Sequence, residues 1–373
     1  MPHRFVHTTL PSPSPVKQID GLQALRAVAV ILVAWFHTSE FCGSVIGRTL
    51  PSLGAYGIDI FFVMSGFIMT TILLRTAQAP DPPASWPFMK RRILRIFPVY
   101  WVFTALSALI LLHRHQLFAS NYIPSIFLLP WVQYPSYPLL VGFSWTLVFE
   151  MIFYCMIFFV LMIKPRMAVQ ITIAVLLILV AIGSVIDIRR PVLIAILNPL
   201  LLEFVFGCVI AMLYRRFGPQ RRFGFILLTI ASVISFFLGQ LPFPVADGMQ
   251  MITANVHVGA RVVTWGVAAA AVVAGMVFWS PVLNNPAGRL LIVLGNASYS
   301  AYLASAVVVE RLIQIFLKLD HHPQSISVPA QVLLQTVFVV AILVFGWLSY
   351  QFIEWPLLHW VQHLTRKTRP RWS

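Results

Sequence analysis

Charge is scarce in this chain: Asp, Glu, Lys and Arg make up 10% of its 373 residues, against roughly 25% in soluble domains. That shortage excludes an ordinary water-soluble fold of this length, and a hydrophobic share of 59% points to lipid as the solvent. Cysteine is nearly absent too. Cys42, Cys155 and Cys208 stand far apart without CxxC spacing, which argues against a disulfide framework or a zinc site and leaves them as packing residues. The apolar runs lack the alternating polarity and short length of barrel strands. No P-loop and no dinucleotide-type glycine pattern occurs. His113 with His115, and His321 with His322, have no further ligands nearby in sequence, so no metal site is expected. No internal repeat of the transporter kind is visible. A net charge of +15 could suggest nucleic acid, but the basic residues fall in short segments beside apolar runs rather than in one basic domain.

Present instead are apolar runs of about twenty residues, the length that crosses a hydrocarbon core of ~30 Å. They predict an all-α polytopic bundle with spans near 21–41, 56–75, 94–112, 143–163, 168–187, 192–214, 223–240, 260–280, 289–316 and 328–352. The stretch from Tyr122 to Val132 is apolar but short and carries Pro124 and Pro130. It reads as a re-entrant or surface segment. With the N-terminus inside, eighteen Lys and Arg fall on the inner side and seven on the outer, with Arg26 within the first span. The positive-inside rule then places both ends in the cytoplasm. The expected organisation is a cytoplasmic tail at 1–18, one membrane domain at 19–357 and a basic cytoplasmic tail at 358–373. Residues 1–18 have no compact apolar region or small-residue cleavage site, so no cleaved signal peptide is expected.

An ionisable side chain inside a span costs about 2.5–3.5 kcal/mol on insertion scales, so each one needs a partner, a wet cavity or a task. Arg26 and His37 are eleven residues apart on the first span, which puts them on one face with ~16 Å between them along the axis. Asp59 and Ser65 lie in GIDIFFVMSGF, and Glu150 in SWTLVFEMIFY, at a depth comparable with His37 by residue count. A histidine and a carboxylate at one depth can form an oriented acid/base pair, although sequence does not show contact. Lys90, Arg91, Arg92 and Arg95 in KRRILRIFPVYW sit at the inner mouth of the third span, and Glu354 reaches the same surface. Such a cluster suits a phosphorylated ligand, and suits ordinary cytoplasmic anchoring equally well. Asp59 and Glu150 could equally be structural partners. Gly57, Ser65 and Gly66 also fit close helix packing.

Six blocks in order, IDGLQALRAVAVILVAWFH, GIDIFFVMSGFIM, KRRILRIFPVYW, FSWTLVFEMIFY, LGNASYSAYL and YQFIEWP, resemble acyltransferase family 3, the polytopic membrane O-acyltransferases of exported polysaccharides and lipopolysaccharide. The exopolysaccharide-modifying branch is the nearest in pattern. The resemblance implies a bacterial inner-membrane enzyme that moves an acyl group, usually acetyl, from cytoplasmic acyl-CoA to a hydroxyl of a polysaccharide or glycolipid acceptor, alongside synthesis or export machinery. It implies His37 as the catalytic residue, as general base or as acyl carrier, and Arg26, Arg91, Arg92 and Arg95 around the donor. Glu150 would orient the imidazolium, and Ser65, Ser298 or Tyr302 could steady an oxyanion. There is one departure: Ser305 stands where relatives often have histidine after the SYxxYL block, with Glu310 as a conceivable substitute. A secondary transporter and a non-catalytic scaffold for an export complex are the competing expectations.

Overall fold

The computed structural model describes residues 19–42, 51–77, 84–113, 122–129, 139–142, 144–186, 190–240, 258–318 and 327–360. The N-terminal tail, His115, His321, His322 and residues 361–373 lie outside them, as do the side chains of Cys42, His113 and Glu310. Among the described residues the chain is helical, with no strand. The elements are α1 (Asp20–Cys42), α2 (Pro51–Thr76), α3 (Ser85–His113), α4 (Tyr122–Phe127), α5 (Trp145–Ile163), α6 (Ala168–Val185), α7 (Pro191–Ile196), α8 (Leu201–Phe217) and α9 (Arg221–Gln240). After them come α10 (Val258–Trp279), α11 (Pro286–Asn296), α12 (Ser298–Lys318) and α13 (Val328–Trp360). Nine stretches of the described chain are long and apolar enough to cross a membrane, and α11 with α12 makes a tenth if counted as one bent span.

Two of the expected spans are not single rods. The run at 192–214 is α7 and α8 separated by a turn around Asn198 and Pro199, where Asn198 Oδ1 accepts from the Leu200 amide at 3.0 Å. The run at 289–316 is α11 and α12, bent by 68° at Ala297. Hydropathy records how apolar a stretch is and carries no information on a bend, so both breaks are invisible to it. α11 starts where Asn285 Oδ1 accepts from the Gly288 amide at 2.7 Å with Pro286 at the first helical position. Its end is fixed because Gly295 lies against the backbone of Gln23, leaving no room for a side chain.

Without water to drive helices together, membrane helices associate through close packing at small residues. Gly66 of α2 and Gly207 of α8 meet in this way, each against the other helix's backbone. Around this contact two packed regions form. One runs through α3, α5, α6, α8 and α12 and includes Tyr100, Phe103, Phe149, Phe153 and Phe204. The other joins α1, α2, α8 and α10 through Leu25, Ile60, Met64, Trp265 and Val273. α9 packs on α10 and leaves Phe223, Phe225, Ile230 and Phe237 exposed, as a lipid-facing helix does.

Of the Tyr122–Val132 segment, the described part is a short helix pinned at two points. Trp101 Nε1 donates to the Ile126 carbonyl at 2.9 Å, and the Leu140 amide donates to Ser125 Oγ at 2.8 Å.

Candidate active site

Five helices converge on one cavity, lined by Arg26 of α1, Ser65 of α2, Arg92 and Arg95 of α3, Thr146, Glu150 and Tyr154 of α5, and Ser298, Tyr299 and Tyr302 of α12. Its apolar wall comes from Ile58, Phe61, Phe62 and Met64 on α2 and Ile96 on α3. About 930 Å³ of space lies between these residues, counting the open solvent at its edge.

Each polar group reaches the cavity for a local reason. Arg92 and Arg95 are three residues apart on a helix and share a face, whereas Arg91 turns about 100° away and is exposed. The cluster is part of α3 itself, which begins at Ser85, rather than of a loop at the mouth of a span. The Arg92 guanidinium lies 5.8 Å from the Phe88 ring centre and 5.9 Å from that of Tyr154, two rings that meet edge to face, so a cation–π contact to each holds the head group beside α5. Arg95 is exposed at the cavity's edge. Glu150 Oε1 accepts two hydrogen bonds, one from Ser65 Oγ at 2.9 Å and one from the hydroxyl of Tyr154, one turn on along α5.

The LGNASYSAYL block forms the far wall. The 68° bend starts α12 at Ser298 beside the cavity, and the next hydroxyls each meet a different helix. Tyr299 donates to the Ile96 carbonyl at 2.8 Å, Ser300 to Glu354 Oε2 at 2.6 Å, and Tyr302 shares a 2.7 Å bond with Thr146. Glu354 is buried and ends a π-helical turn, Tyr350–Glu354. Ser305 is buried and donates to the Tyr302 carbonyl, so at the position where relatives often have histidine the hydroxyl is turned back onto its own helix.

Three of the expected site residues are not brought to this cavity. Arg91 is one. His37 is buried, edge-on to Phe36 with ring centres 5.2 Å apart, but does not line it. Glu150 accepts from Ser65 and Tyr154 instead of pairing with His37. Depth by residue count is shared by every side chain in one layer of a bundle, and here neighbouring α2 and the next turn of α5 provide the nearer donors. Asp59 is the third. It is fully buried and makes a forked pair with Arg261 of α10, Nε to Oδ1 at 2.9 Å and Nη2 to Oδ2 at 2.7 Å, while Nη2 also donates to the Ala55 carbonyl. Arg261, counted by sequence among the outer cations, is therefore a buried residue: the carboxylate below it draws it into the bundle. A π turn, Val262–Gly266, follows it directly.

Sequence reading missed Tyr154 and Tyr299 of the cavity, and also Glu203. The first two were legible inside quoted blocks, Tyr154 by its i+4 spacing from Glu150. Glu203, the sole acidic residue in the 192–214 run, is fully buried, touches the Gly266 position and lies against the Asp59–Arg261 pair. No cluster of three or more metal-ligating side chains occurs among the described residues.

A sequence profile described as an acyltransferase domain matches residues 19–355. Among similar proteins, the exopolysaccharide production protein ExoZ of Rhizobium meliloti is 32% identical over 47% of this chain and 54% of its own. The peptidoglycan O-acetyltransferase OatA of Listeria monocytogenes is 35% identical over 26% of this chain and 14% of its own. The putative peptidoglycan O-acetyltransferase YrhL of Bacillus subtilis is 34% identical over 27% and 15%. The match thus spans about half of ExoZ and a small part of the other two. No solved structure matches.

Proposed function

Because the chain belongs to acyltransferase family 3, we propose that it is a multi-pass membrane O-acyltransferase that moves an acyl group, acetyl in the first instance, from acyl-CoA to a hydroxyl of an exported glycan. The observation that carries this reading is the joining of Arg26, Arg92 and Arg95 with Glu150 in one cavity built from five of the six family-like blocks. Three guanidiniums and one carboxylate suit a phosphorylated donor, since arginine offers forked, permanently charged donors to phosphate oxygens. The donor is a substrate and supplies the activated thioester.

In this reading Arg95, at the exposed edge, and Arg92 behind it hold donor phosphates, while Arg26 guides the thioester arm inward. Ser65 and Tyr154 fix Glu150 in position. His37, eleven residues from Arg26 on the same helix, takes the acceptor's proton or carries the acyl group outward. The acceptor is an exopolysaccharide or related envelope glycan, as the names of the exopolysaccharide production protein ExoZ and the peptidoglycan O-acetyltransferase OatA suggest, and the location is the bacterial inner membrane with Arg95 on the cytoplasmic side.

The test is the ester-linked acyl content of exported glycan from cells with the parent gene, a deletion, or His37→Ala at matched expression. Loss of esters in both altered strains supports transfer through His37, and trapping of acyl-protein in the parent would favour the carrier route. Equal esters in all three would sink the reading.

A further inference from the structure

Helices α2 and α8 run side by side in the same direction. Arg215 Nη1 of α8 donates to the Leu74 carbonyl of α2 at 3.0 Å, Gly207 lies against the Val63 carbonyl and Gly66, and the rings of Phe204 and Phe62 are 4.9 Å apart. Residues four apart share a helix face. Asp59 stands four residues before Val63 and Glu203 four before Gly207, so the contact between Val63 and Gly207 brings the two carboxyl groups together one turn earlier. Both residues are 0% exposed, and Arg261 is buried with them. Glu203 Oε1 also faces α10, where a Cβ at Gly266 would lie 3.0 Å from it.

One cation thus stands among two buried acids. Arg261 Nε and Nη2 both donate to Asp59, and Nη2 also donates to the Ala55 carbonyl. No N–H or O–H among the described residues donates to either oxygen of Glu203. The ionisable groups facing Glu203 are Asp59 and Tyr56 of α2 and Arg261 of α10. The Tyr56 hydroxyl is bonded to Ser235 of α9 at 3.1 Å, α6 has no ionisable side chain, and Glu150 and Tyr154 of α5 bond each other at the cavity. An ionised Glu203 would be a second buried negative charge with no counter-charge of its own, and a protein relieves such a charge by neutralising the group. Two carboxyls that share one buried site do not both ionise. With Asp59 held by the guanidinium, what fits between the two sets of acceptor oxygens is a hydrogen.

We propose that Glu203 is a proton-binding site, whose protonated carboxyl donates a hydrogen bond to Asp59 and closes an acid–carboxylate–guanidinium triad of zero net charge across α8, α2 and α10. The inference does not depend on the acyl-transfer reading. The proton is the joint of the triad: without it, two negative charges face each other beside the close Gly66–Gly207 contact and push α8 from α2, the helix that carries Ser65 to the cavity. The bundle is then a pH-sensitive assembly that loosens under alkaline conditions.

Infrared spectra of the full-length protein in nanodiscs, with isotope-labelled glutamate, provide the test. A protonated acid has a C=O band above the amide region that an ionised carboxylate lacks. The parent should show this band from glutamate at neutral pH. Glu203→Gln, whose amide can donate to Asp59 in the same way, should lose one carboxyl's share of the band and melt close to the parent. Glu203→Met should lose the same share and serves if the amide variant does not fold. Asp59→Asn should also remove it, because Glu203 then gives up its proton to pair with Arg261. Melting in detergent adds a second readout: the native protein holds a proton that the unfolded chain releases, so the parent should lose stability relative to Glu203→Gln as pH rises. A parent without the band, or a band of equal strength in the Glu203 variants, overturns the proton site. A band that survives Asp59→Asn overturns its sharing with Asp59, and a melting difference that stays constant with pH overturns the pH-sensitive joint.

Discussion

Arg92 and Glu150 face one cavity and are held in opposite ways. Glu150 is anchored by two hydroxyl donors on a single oxygen, whereas Arg92 is held by cation–π contacts with the Phe88 and Tyr154 rings. Tyr154 serves both, so Tyr154→Phe should release the carboxylate while retaining the ring. Its expected signature is a fall in turnover of roughly tenfold, in line with about 1.5 kcal/mol for a hydrogen bond to a charged group, with coenzyme A affinity unchanged in calorimetry. Arg92→Ala removes the charged contact itself, and coenzyme A should then bind at least tenfold more weakly. A Tyr154→Phe variant that loses affinity and keeps turnover would reverse these roles.

At the scale of helices, the second polar cluster acts as a clamp. Asp59 and Arg261 tie α2 to α10, with Glu203 of α8 beside them, next to the π turn at Val262–Gly266. Breaking a buried pair leaves an uncompensated charge and typically costs about 3–5 kcal/mol. Arg261→Met should therefore lower the melting temperature of the solubilised protein steeply, and Asp59→Leu added to it should restore part of the loss. Glu203→Gln should have a smaller effect than Arg261→Met, because it leaves the Asp59–Arg261 ion pair in place. Equal melting points for Arg261→Met and the parent would show that the pair is not a clamp.

Ten spans would put both ends on one side of the membrane, and the positive-inside count predicts that side to be the cytoplasm. Lys17→Cys and Lys367→Cys in a background lacking the native cysteines should react with impermeant maleimide only after the inner face is opened. Reaction of just one in sealed cells would require an odd number of spans. The number of spans was legible because twenty apolar residues have few uses in a bilayer, and the cavity's arginines because RILR spacing selects one face, whereas α3 begins nine residues before its expected span. The breaks at Asn198 and Ala297 were not, since bending changes no residue's polarity. Nor was the status of Arg261 and Glu203: sequence gives each a charge, whereas burial and pairing come from helices more than fifty residues away. For Glu150 the depth was readable, and its partners required the azimuth of every helix around it.

The first helix packs against the last three: Gly295 of α11 rests on Gln23, Gln335 of α13 donates to the Trp35 carbonyl at 3.1 Å, and α12 lies alongside. Translation delivers α1 to the membrane some 260 residues before α11, so Arg26 enters the bilayer long before the wall that completes its cavity has been made. A ribosome still at work on this chain carries an unfinished cavity, whose last wall arrives with α12.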